Sequence, residues 1–390
     1  MFHHDAAHTG YSTSAGPLTN QTLWKFKTGN SVEYSSPSIV NGVAYVGSQD
    51  RTVYALDAAT GNKIWSFAAE YSIKSIAAVV NDVVYVGSLD HNVYALNAKT
   101  GSKIWNYTTG NQVYSSPVVV DGVLYVGSND HYVYALNVED GSKIWSFQTN
   151  NYVWSSPAVV NGVVYVTSWD NVYALDATTG SKIWSFKPKD SMYSSPAVVG
   201  DIVYFGSNDH NLYALDADDG AKIWNFTTDG YVTSSPAVAD GMVYFGSDDH
   251  NVYALNAASG QKLWSYETGD AIDSYAAVAS GVVYIGSKDD YVYALDAKTG
   301  KKIWSYKTGA DVESFTSIAN GVVYIGSNDN YIYAIGTITV QQPTSPLSTA
   351  SPSPTVPEFP LLAVPLLLSI LMAVAGLLIY HKRKGSLVTA

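Results

Sequence analysis

The chain alternates short apolar runs with short polar turns, and the pattern repeats from Gln21 to Gly336 with a period of about 40 residues. A typical unit is VYSSPVVVDGVLYVGSNDHYVYALNVEDGSKIWSF, residues 113–147. Each unit holds four strand-like runs, typified by SSPAVV, GVVYVGS, VYALD and KIWSF, which are separated by turn sequences such as N-G, D-G and T-G. We label the four predicted strands A, B, C and D.

Four strands in about 40 residues are typical of a β-propeller blade, which buries its faces by stacking against neighbouring blades around a central axis. The VYAL run or its variant occurs eight times, at Tyr54, Tyr94, Tyr134, Tyr173, Tyr213, Tyr253, Tyr293 and Tyr333. The chain begins with an isolated D strand, Thr22–Phe26, and its last unit lacks strand D. We therefore predict an all-β, eight-bladed β-propeller of four-stranded blades, in which the N-terminal D strand closes the last blade.

Composition supports this interpretation and removes several classes of function. Aromatic residues make up 13% of the chain and charged residues only 14%, which favours half-buried sheets over exposed helices. The formal net charge of −12 argues against a nucleic-acid partner, because phosphate binding needs clustered lysine and arginine. Since the chain has no cysteine, disulfides, a catalytic thiolate and Cys-ligated metals are excluded.

The runs ALDAATGNKIW, ALDATTGSKIW and ALDAKTGKKIW resemble the tryptophan-docking motif of the PQQ-repeat (quinoprotein-like, BamB-like) eight-bladed propellers, and the resemblance extends over the repeat region. It implies that each strand-D tryptophan packs on the glycine turn of a neighbouring blade. The docking tryptophans would be Trp24, Trp65, Trp105, Trp145, Trp184, Trp224, Trp264 and Trp304. The glycines would be Gly61, Gly101, Gly141, Gly180, Gly220, Gly260 and Gly300.

The two ends of the chain predict how the propeller is held. We expect an N-terminal lead-in at residues 1–19, the propeller at 20–338, a Ser/Thr/Pro-rich stalk at 339–358, a transmembrane helix at 359–380 and a basic cytoplasmic tail at 381–390. Leu361–Tyr380 carries no charge and HKRK follows directly, so the positive-inside rule leaves the propeller extracellular on the cell membrane.

The VPEFP run at residues 356–360 resembles the PEF-type sorting segment of archaeal surface proteins, which archaeosortase processes. That resemblance implies cleavage and a lipid anchor; the alternative is a plain single-span anchor. Because MFHHDAAHTGYS does not have the pattern of a signal peptide, we expect a leader before it; the alternative is that the chain inserts by its tail. N-x-S/T sequons make Asn20, Asn106 and Asn225 candidates for glycosylation.

The start of strand A varies between blades more than the uniform repeat requires. The residue before the serine that all eight blades share is, blade by blade, Tyr34, Lys74, Tyr114, Trp154, Tyr193, Thr233, Asp273 and Glu313. Because strands alternate in direction, this position lies near the axis on the face that carries the B-to-C loops. Glu33, inside a one-residue insertion in blade one, adds a third carboxylate beside Asp273 and Glu313. The pattern indicates either a binding face, half charged and half aromatic, or an ion pair between Lys74 and these carboxylates that only closes the channel.

The run VTSWDNVYALD, residues 166–176, departs from its seven counterparts. Thr167 replaces a glycine, one residue is lost after Asp170, and Trp169 joins Trp154 as a tryptophan outside strand D on the same face. An alternative role for Trp169 is to cover the shortened turn. The candidate ligand-binding residues are Trp154, Trp169, Tyr114, Tyr193, Lys74, Asp273 and Glu313.

Metal binding is not expected. The aspartate of the B-to-C turn recurs in every blade, so we predict that it caps the hairpin; the set is Asp50, Asp90, Asp130, Asp170, Asp209, Asp249, Asp289 and Asp329. His91, His131, His210 and His250 follow four of these aspartates and would be spread around a wide rim. His3, His4 and His8 lack a carboxylate or cysteine framework.

Short loops and near-uniform blades predict a non-catalytic cell-surface propeller that presents a binding face to an envelope protein or a glycan, without a cofactor. The alternative is a PQQ-dependent dehydrogenase, since the resemblance extends to quinoprotein enzymes. The alcohol dehydrogenases of that family use a vicinal cysteine pair and calcium ligands carried on insertions, neither of which these blades supply. We therefore predict no catalytic residues and no PQQ.

Overall fold

Eight sheets, each with four antiparallel strands, lie within residues 5–337, the part of the chain that the computed structural model describes. They are the blades of the predicted propeller, which is confirmed in its all-β class, its blade number and its four strands per blade. The predicted stalk, transmembrane helix and basic tail lie outside the described residues, as do His3 and His4. Within residues 5–337, no helix is long and apolar enough to cross a membrane.

The strands follow one another blade by blade, after the short β1 (Tyr11–Ser12) and β2 (Thr22–Lys27). Blades one to four consist of β3 (Ser38–Val40), β4 (Val43–Gly47), β5 (Thr52–Asp57) and β6 (Lys63–Ala68); β7 (Ala78–Val80), β8 (Val83–Gly87), β9 (Asn92–Asn97) and β10 (Lys103–Thr108); β11 (Val118–Val120), β12 (Val123–Ser128), β13 (Tyr132–Asn137) and β14 (Lys143–Gln148); β15 (Ala158–Val160), β16 (Val163–Thr167), β17 (Val172–Asp176) and β18 (Lys182–Phe186).

Blades five to eight continue the same order. They consist of β19 (Ala197–Val199), β20 (Ile202–Gly206), β21 (Asn211–Asp216) and β22 (Lys222–Thr227); β23 (Ala237–Ala239), β24 (Met242–Gly246), β25 (Asn251–Asn256) and β26 (Lys262–Glu267); β27 (Ala277–Ala279), β28 (Val282–Gly286), β29 (Tyr291–Asp296) and β30 (Lys302–Lys307); and β31 (Ser317–Ala319), β32 (Val322–Ser327) and β33 (Tyr331–Gly336), to which β2 is added.

The last blade is closed by the N-terminal D strand, as predicted. Strand β2 pairs antiparallel with β33, with Thr22 opposite Ile335 and Lys27 opposite Tyr331. Strands from the two ends of the propeller thus share one sheet, and the edge that β33 would otherwise expose is paired.

Blade-to-blade packing uses the strand-D tryptophans. The Trp65 ring lies against Gly101 of the next blade, and its Nε1 donates a hydrogen bond to Ala98 O at 2.8 Å. A Cβ on Gly101 would stand 2.6 Å from the ring, so a side chain there would displace the tryptophan. Trp24, Trp105, Trp145, Trp184, Trp224 and Trp264 make the equivalent contacts with Gly61, Gly141, Gly180, Gly220, Gly260 and Gly300.

The seventh interface differs because the eighth blade has no continuous C-to-D turn. There, Trp304 Nε1 donates to Pro17 O at 3.1 Å, so the segment before β2 takes the place of the missing turn.

The N-terminal segment also runs along the innermost strands. The backbone carbonyls of Ala6, Ala7, Thr9 and Gly10 accept hydrogen bonds from the N–H groups of strand A in blades four to seven, namely Val159, Val198, Val238 and Val278. Strand β1 adds a short parallel pairing with β27. The sequence predicted only a lead-in here; the segment instead pairs with strand edges that face the central channel.

The turn aspartates cap their hairpins in seven blades. Asp50 is representative: its carboxylate accepts hydrogen bonds from the N–H groups of Thr52 and Gly29 and from the Tyr54 hydroxyl. Asp90, Asp130, Asp209, Asp249, Asp289 and Asp329 make the same contacts in their blades. In blade four, Asp170 accepts from the Ser168 hydroxyl instead, because the loop is one residue shorter.

Candidate functional site

A cavity of about 370 Å³ opens at the centre of the face where the A strands begin. We call it the mouth cavity. Its lining consists of Glu33, Tyr34, Lys74, Tyr114, Ser116, Trp154, Ser156, Tyr193, Ser195, Thr233, Asp273, Tyr275 and Phe315. Five of the seven candidate residues line it. Of the other two, Trp169 packs against the lining rings Trp154 and Tyr193, and Glu313 shares Lys288 with Asp273.

Aromatic side chains form one wall and the floor of the mouth cavity. On the wall, the Trp154 ring lies between Tyr114 and Tyr193, with centroid separations of 5.4 and 4.8 Å. On the floor, Tyr275 and Phe315 stack with an interplanar angle of 11°. The two floor rings occupy a strand-A position that holds serine in five other blades, so large side chains have replaced small ones there.

Trp169 holds the aromatic wall from behind. Its ring packs nearly perpendicular to Trp154, at 5.3 Å and 82°, and to Tyr193, at 5.1 Å and 75°. It therefore fixes the orientation of two lining rings, because edge-to-face pairs have a preferred geometry. The Trp154 Nε1 donor is buried and has no hydrogen-bond partner within the described residues.

The replacement of glycine by Thr167 in blade four is matched by a change in the next blade. In the other blades this glycine faces a β-branched side chain; a Cβ on Gly47, for example, would stand 2.2 Å from Ile73. In blade five the facing position holds Met192, which is unbranched and buried. Thr167 fits there and donates from its hydroxyl to Ser194 O at 2.7 Å.

The other wall of the mouth cavity carries charged side chains, and we call it the charged wall. Lys74 and Glu33 form its first ion pair. Their Nζ and Oε2 atoms are 2.9 Å apart, and Gln49 Nε2 donates a hydrogen bond to the same carboxylate. The Lys74 ammonium also lies 5.3 Å from the Tyr34 ring centroid and 5.8 Å from that of Tyr114. Lys74 is therefore held by one carboxylate and two aromatic faces.

Asp273 and Glu313 pair with a different lysine. Lys288 Nζ lies 2.6 Å from Asp273 Oδ2 and 3.5 Å from Glu313 Oε1. Thr233 donates to Asp273 Oδ1 at 2.9 Å, and Asn328 donates to Glu313 Oε2 at 2.9 Å. The expected pairing of Lys74 with the carboxylates is thus correct only for Glu33.

Carboxylates outnumber lysines around the mouth cavity. Burial and the neighbouring Asp273 carboxylate raise the pKa of Asp248 to about 7. Burial also raises the pKa of Glu313. Burial favours neutral Lys288, but the hydrogen bond and charge of Asp273 outweigh it and raise the pKa of that lysine. The charged wall is therefore electronegative, with four carboxyl groups around two ammonium groups.

The side chains that contact these carboxylates from behind the strand-A positions were not predicted from the sequence. Lys288, Asp248, Gln49 and Asn328 all occupy one repeat position, directly before the turn aspartate, where blade four has Trp169. The full set is Gln49, Leu89, Asn129, Trp169, Asn208, Asp248, Lys288 and Asn328. The signal was available: this position varies between blades as strongly as the start of strand A does.

The remaining candidates lie away from the mouth cavity. Asn106 and Asn225 are exposed on outer strands β10 and β22, where their amides donate to Asn92 and Asn211, and exposed Asn20 donates to Ser305 O. His91, His131, His210 and His250 occupy the left-handed turn position, with φ between 70° and 74°. Among the described residues, no three His, Asp or Glu side chains are placed to share a metal ion.

Eight blades joined by tryptophans that dock on glycine turns are typical of a PQQ-repeat propeller. The family model described as "Outer membrane protein assembly factor BamB" matches residues 13–113, 49–171, 168–274 and 251–342. These matches together span most of the chain, and the chain belongs to this family. No curated protein matches it.

Solved structures share the fold at low sequence identity. BamB from Moraxella catarrhalis is 18% identical, with a TM-score of 0.70, and the match covers 82% of this chain and 100% of that one. The computationally designed Ika8 protein is 17% identical, with a TM-score of 0.74 and coverages of 81% and 100%. Quinohemoprotein alcohol dehydrogenase from Comamonas testosteroni is 16% identical, with a TM-score of 0.75 and coverages of 86% and 79%.

Proposed function

We propose that the protein is a non-catalytic binding module of the cell surface, whose mouth cavity receives part of an envelope protein or a glycan. One observation carries this proposal: residues that vary in an otherwise uniform repeat converge on one cavity with a packed floor. Positions fixed by the scaffold repeat from blade to blade, whereas the aromatic and charged side chains of the lining do not. A pre-formed concave surface with aromatic and charged walls is typical of a binding site.

The walls are already ordered, which favours binding. Trp154 is held by rings on both sides and by Trp169, so little rotamer entropy remains to be lost when a partner arrives. The Lys74–Glu33 and Lys288–Asp273 pairs fix the opposite wall. A partner group would therefore enter a rigid cavity, and affinity would come from buried aromatic area and from charge complementarity.

The mouth cavity does not fit a PQQ-type cofactor. PQQ carries carboxylate groups, which here would approach Asp273 and Glu33. Lys74 and Lys288, the cations of this wall, are already engaged by carboxylates. The described residues also offer no cluster that would hold the calcium ion on which such enzymes depend. Binding rather than quinone chemistry is the better match to these side chains.

The test is partner capture by the purified full-length chain, from solubilised envelope fractions and on a glycan array. We expect a retained partner with the wild type and with Glu139→Gln, an exposed change in a C-to-D turn on the other face, and loss of that partner with Trp154→Ala. Reduction of a redox dye after addition of PQQ and Ca²⁺ would instead support the dehydrogenase alternative.

The surface location in this proposal derives from the sequence of residues 339–390. Protease added to intact cells should degrade the propeller while a cytoplasmic marker survives. Protection of the propeller in intact cells, followed by its degradation after lysis, would place it inside and contradict this part of the proposal.

A further inference from the structure

We propose that the mouth cavity binds an organic cation, an alkylammonium or guanidinium group that enters between the aromatic wall and Asp273. The inference rests on the proposed binding function and names the chemistry of the group that is bound. The same chemistry is offered by a free amine and by the end of a lysine or arginine side chain of a partner protein.

The first argument is charge. Glu33 is neutralised by Lys74, while a single lysine, Lys288, serves both Asp273 and Glu313. Asp248 lies beside Asp273 as a further carboxyl group without a lysine of its own in the described structure. An entering cation would offset this excess of negative charge, whereas an anion would be repelled.

The second argument is that one ammonium group is already bound in this manner. Lys74 lies over the faces of Tyr34 and Tyr114 and against the Glu33 carboxylate. Further around the lining, Trp154 and Tyr193 present rings, and Asp273 is close enough to Tyr193 to help burial raise the pKa of that phenol. Aromatic faces with a nearby carboxylate therefore occur twice. In the second set Lys288 pairs with Asp273, but among the described residues no lysine or arginine lies over the Trp154 or Tyr193 ring.

The third argument is shape. The Trp154 and Tyr193 rings are inclined at 41° to each other, and Trp169 stands nearly perpendicular to both. A sugar stacks best on a flat exposed face, whereas inclined rings surround a compact group. The floor of Tyr275 and Phe315 closes the cavity, so a ligand enters end-on, as an amine or a side-chain tip does.

The test is isothermal titration of the full-length chain with four probes. Cadaverine represents a free amine, and acetyl-Gly-Gly-Lys-Gly-Gly-amide represents a partner side chain. The same peptide with norleucine in place of lysine controls for charge, and chitobiose represents a glycan. We expect saturable binding of at least one amine probe and none of the norleucine peptide. The tighter of the two amine probes identifies the source of the cation.

Three variants locate the site. Asp273→Asn and Trp154→Ala should each weaken amine binding about tenfold, whereas Trp154→Phe should retain most of the affinity because it keeps an aromatic face. Glu139→Gln should bind like the wild type. Thermal unfolding of each variant confirms that it is folded, and Trp154→Phe tests the ring even if Trp154→Ala unfolds.

Some results would overturn the inference. These are binding of chitobiose or the norleucine peptide at the strength of the amines, no binding of any probe, or amine binding that Asp273→Asn leaves unchanged. If the amines fail while partner capture still depends on Trp154, only this inference is lost. If the amines bind but no partner is captured, the proposed partner function is the part that fails.

Discussion

At the scale of single residues, the Asp248–Asp273 pair makes the mouth cavity sensitive to pH. Burial and Asp273 raise the pKa of Asp248 to about 7, against the opposing influence of Lys288 and Thr233. Below that pH Asp248 is mostly protonated, and above it Asp248 is mostly charged. The electronegativity of the charged wall therefore increases as the pH rises through neutrality.

We predict that affinity for an amine probe rises between pH 6 and pH 8, because Asp248 loses its proton over this range. Asp248→Asn should flatten the dependence, since the amide does not titrate. Titration calorimetry at several pH values measures the effect. An equal pH dependence in wild type and Asp248→Asn would show that another group is responsible.

His8 links the N-terminal segment to stability in acid. It is 1% exposed, its Nδ1 lies 3.1 Å from Pro196 O, and burial lowers its pKa to about 3. The unfolded chain binds a proton near pH 6.5, whereas the folded one does not. The stabilising contribution is therefore complete above pH 6.5 and is lost as the pH falls toward 3.

We predict that lowering the pH from 7 to 5 reduces the unfolding free energy of the wild type by about 2 kcal/mol more than that of His8→Gln. Urea unfolding at the two pH values measures the difference. His91→Asn is the matched control, because His91 is exposed and asparagine occupies the equivalent turn position at Asn330. A pH response of His8→Gln equal to that of the wild type would contradict the assignment.

The sequence predicted the residues that line the mouth cavity better than the residues that hold them in place, for a physical reason. Tyr114, Trp154 and Asp273 were found because they deviate at a position known to face the axis. Lys288 was not predicted, because loop conformation decides whether a residue before a turn points toward the axis or away from it. The Thr167–Met192 match also needed the structure, since it joins residues of adjacent blades.

At the scale of elements, the D strands carry two kinds of side chain. The docking tryptophan is nearly buried, whereas the isoleucine or leucine before it is half exposed, as Ile144 is at 49%. The D strands of blades one to seven all start with lysine. These residues are Lys63, Lys103, Lys143, Lys182, Lys222, Lys262 and Lys302. A lysine on an edge strand discourages pairing with another chain.

We predict that Trp145→Ala lowers the unfolding free energy by about 3 kcal/mol or more, because it removes the ring from Gly180 and leaves Ala177 O without this donor. Ile144→Ala, one residue away on the exposed side, should cost about 1 kcal/mol or less. Urea unfolding of the two variants measures both. Similar losses would mean that docking contributes little beyond ordinary burial.

The strands were predictable from the sequence, whereas the course of the N-terminal segment was not. The alternating strand pattern recurs in eight units of the sequence, and turn residues mark the ends of the strands. Residues 5–16 have no such repetition, and they contact the inner strands through backbone carbonyls, which any residue supplies. No side-chain pattern therefore points to that position.

At the scale of the whole molecule, the two ends of the repeat region are joined in two ways. Strand β2 completes the eighth blade through β33, while residues before it bond to the inner strands of blades four to seven. Pro17 lies between these two parts and accepts hydrogen bonds from Trp304 and from Tyr284. The ring is therefore held at its outer and its inner side by one continuous segment.

Deletions can separate the contribution of β2 to stability from that of the residues before it. Removing residues 20–28 should destabilise the whole propeller, because it leaves β33 as an open edge and takes Trp24 from the interface with Gly61. Removing residues 5–9 keeps all eight blades and removes inner-strand hydrogen bonds together with the buried His8 side chain, so it should lower the melting temperature less. Thermal unfolding followed by circular dichroism compares the two. Closure through β2 predicts that the longer deletion broadens or abolishes the transition; unchanged unfolding after it would mean that the blades hold the ring by face-to-face packing alone.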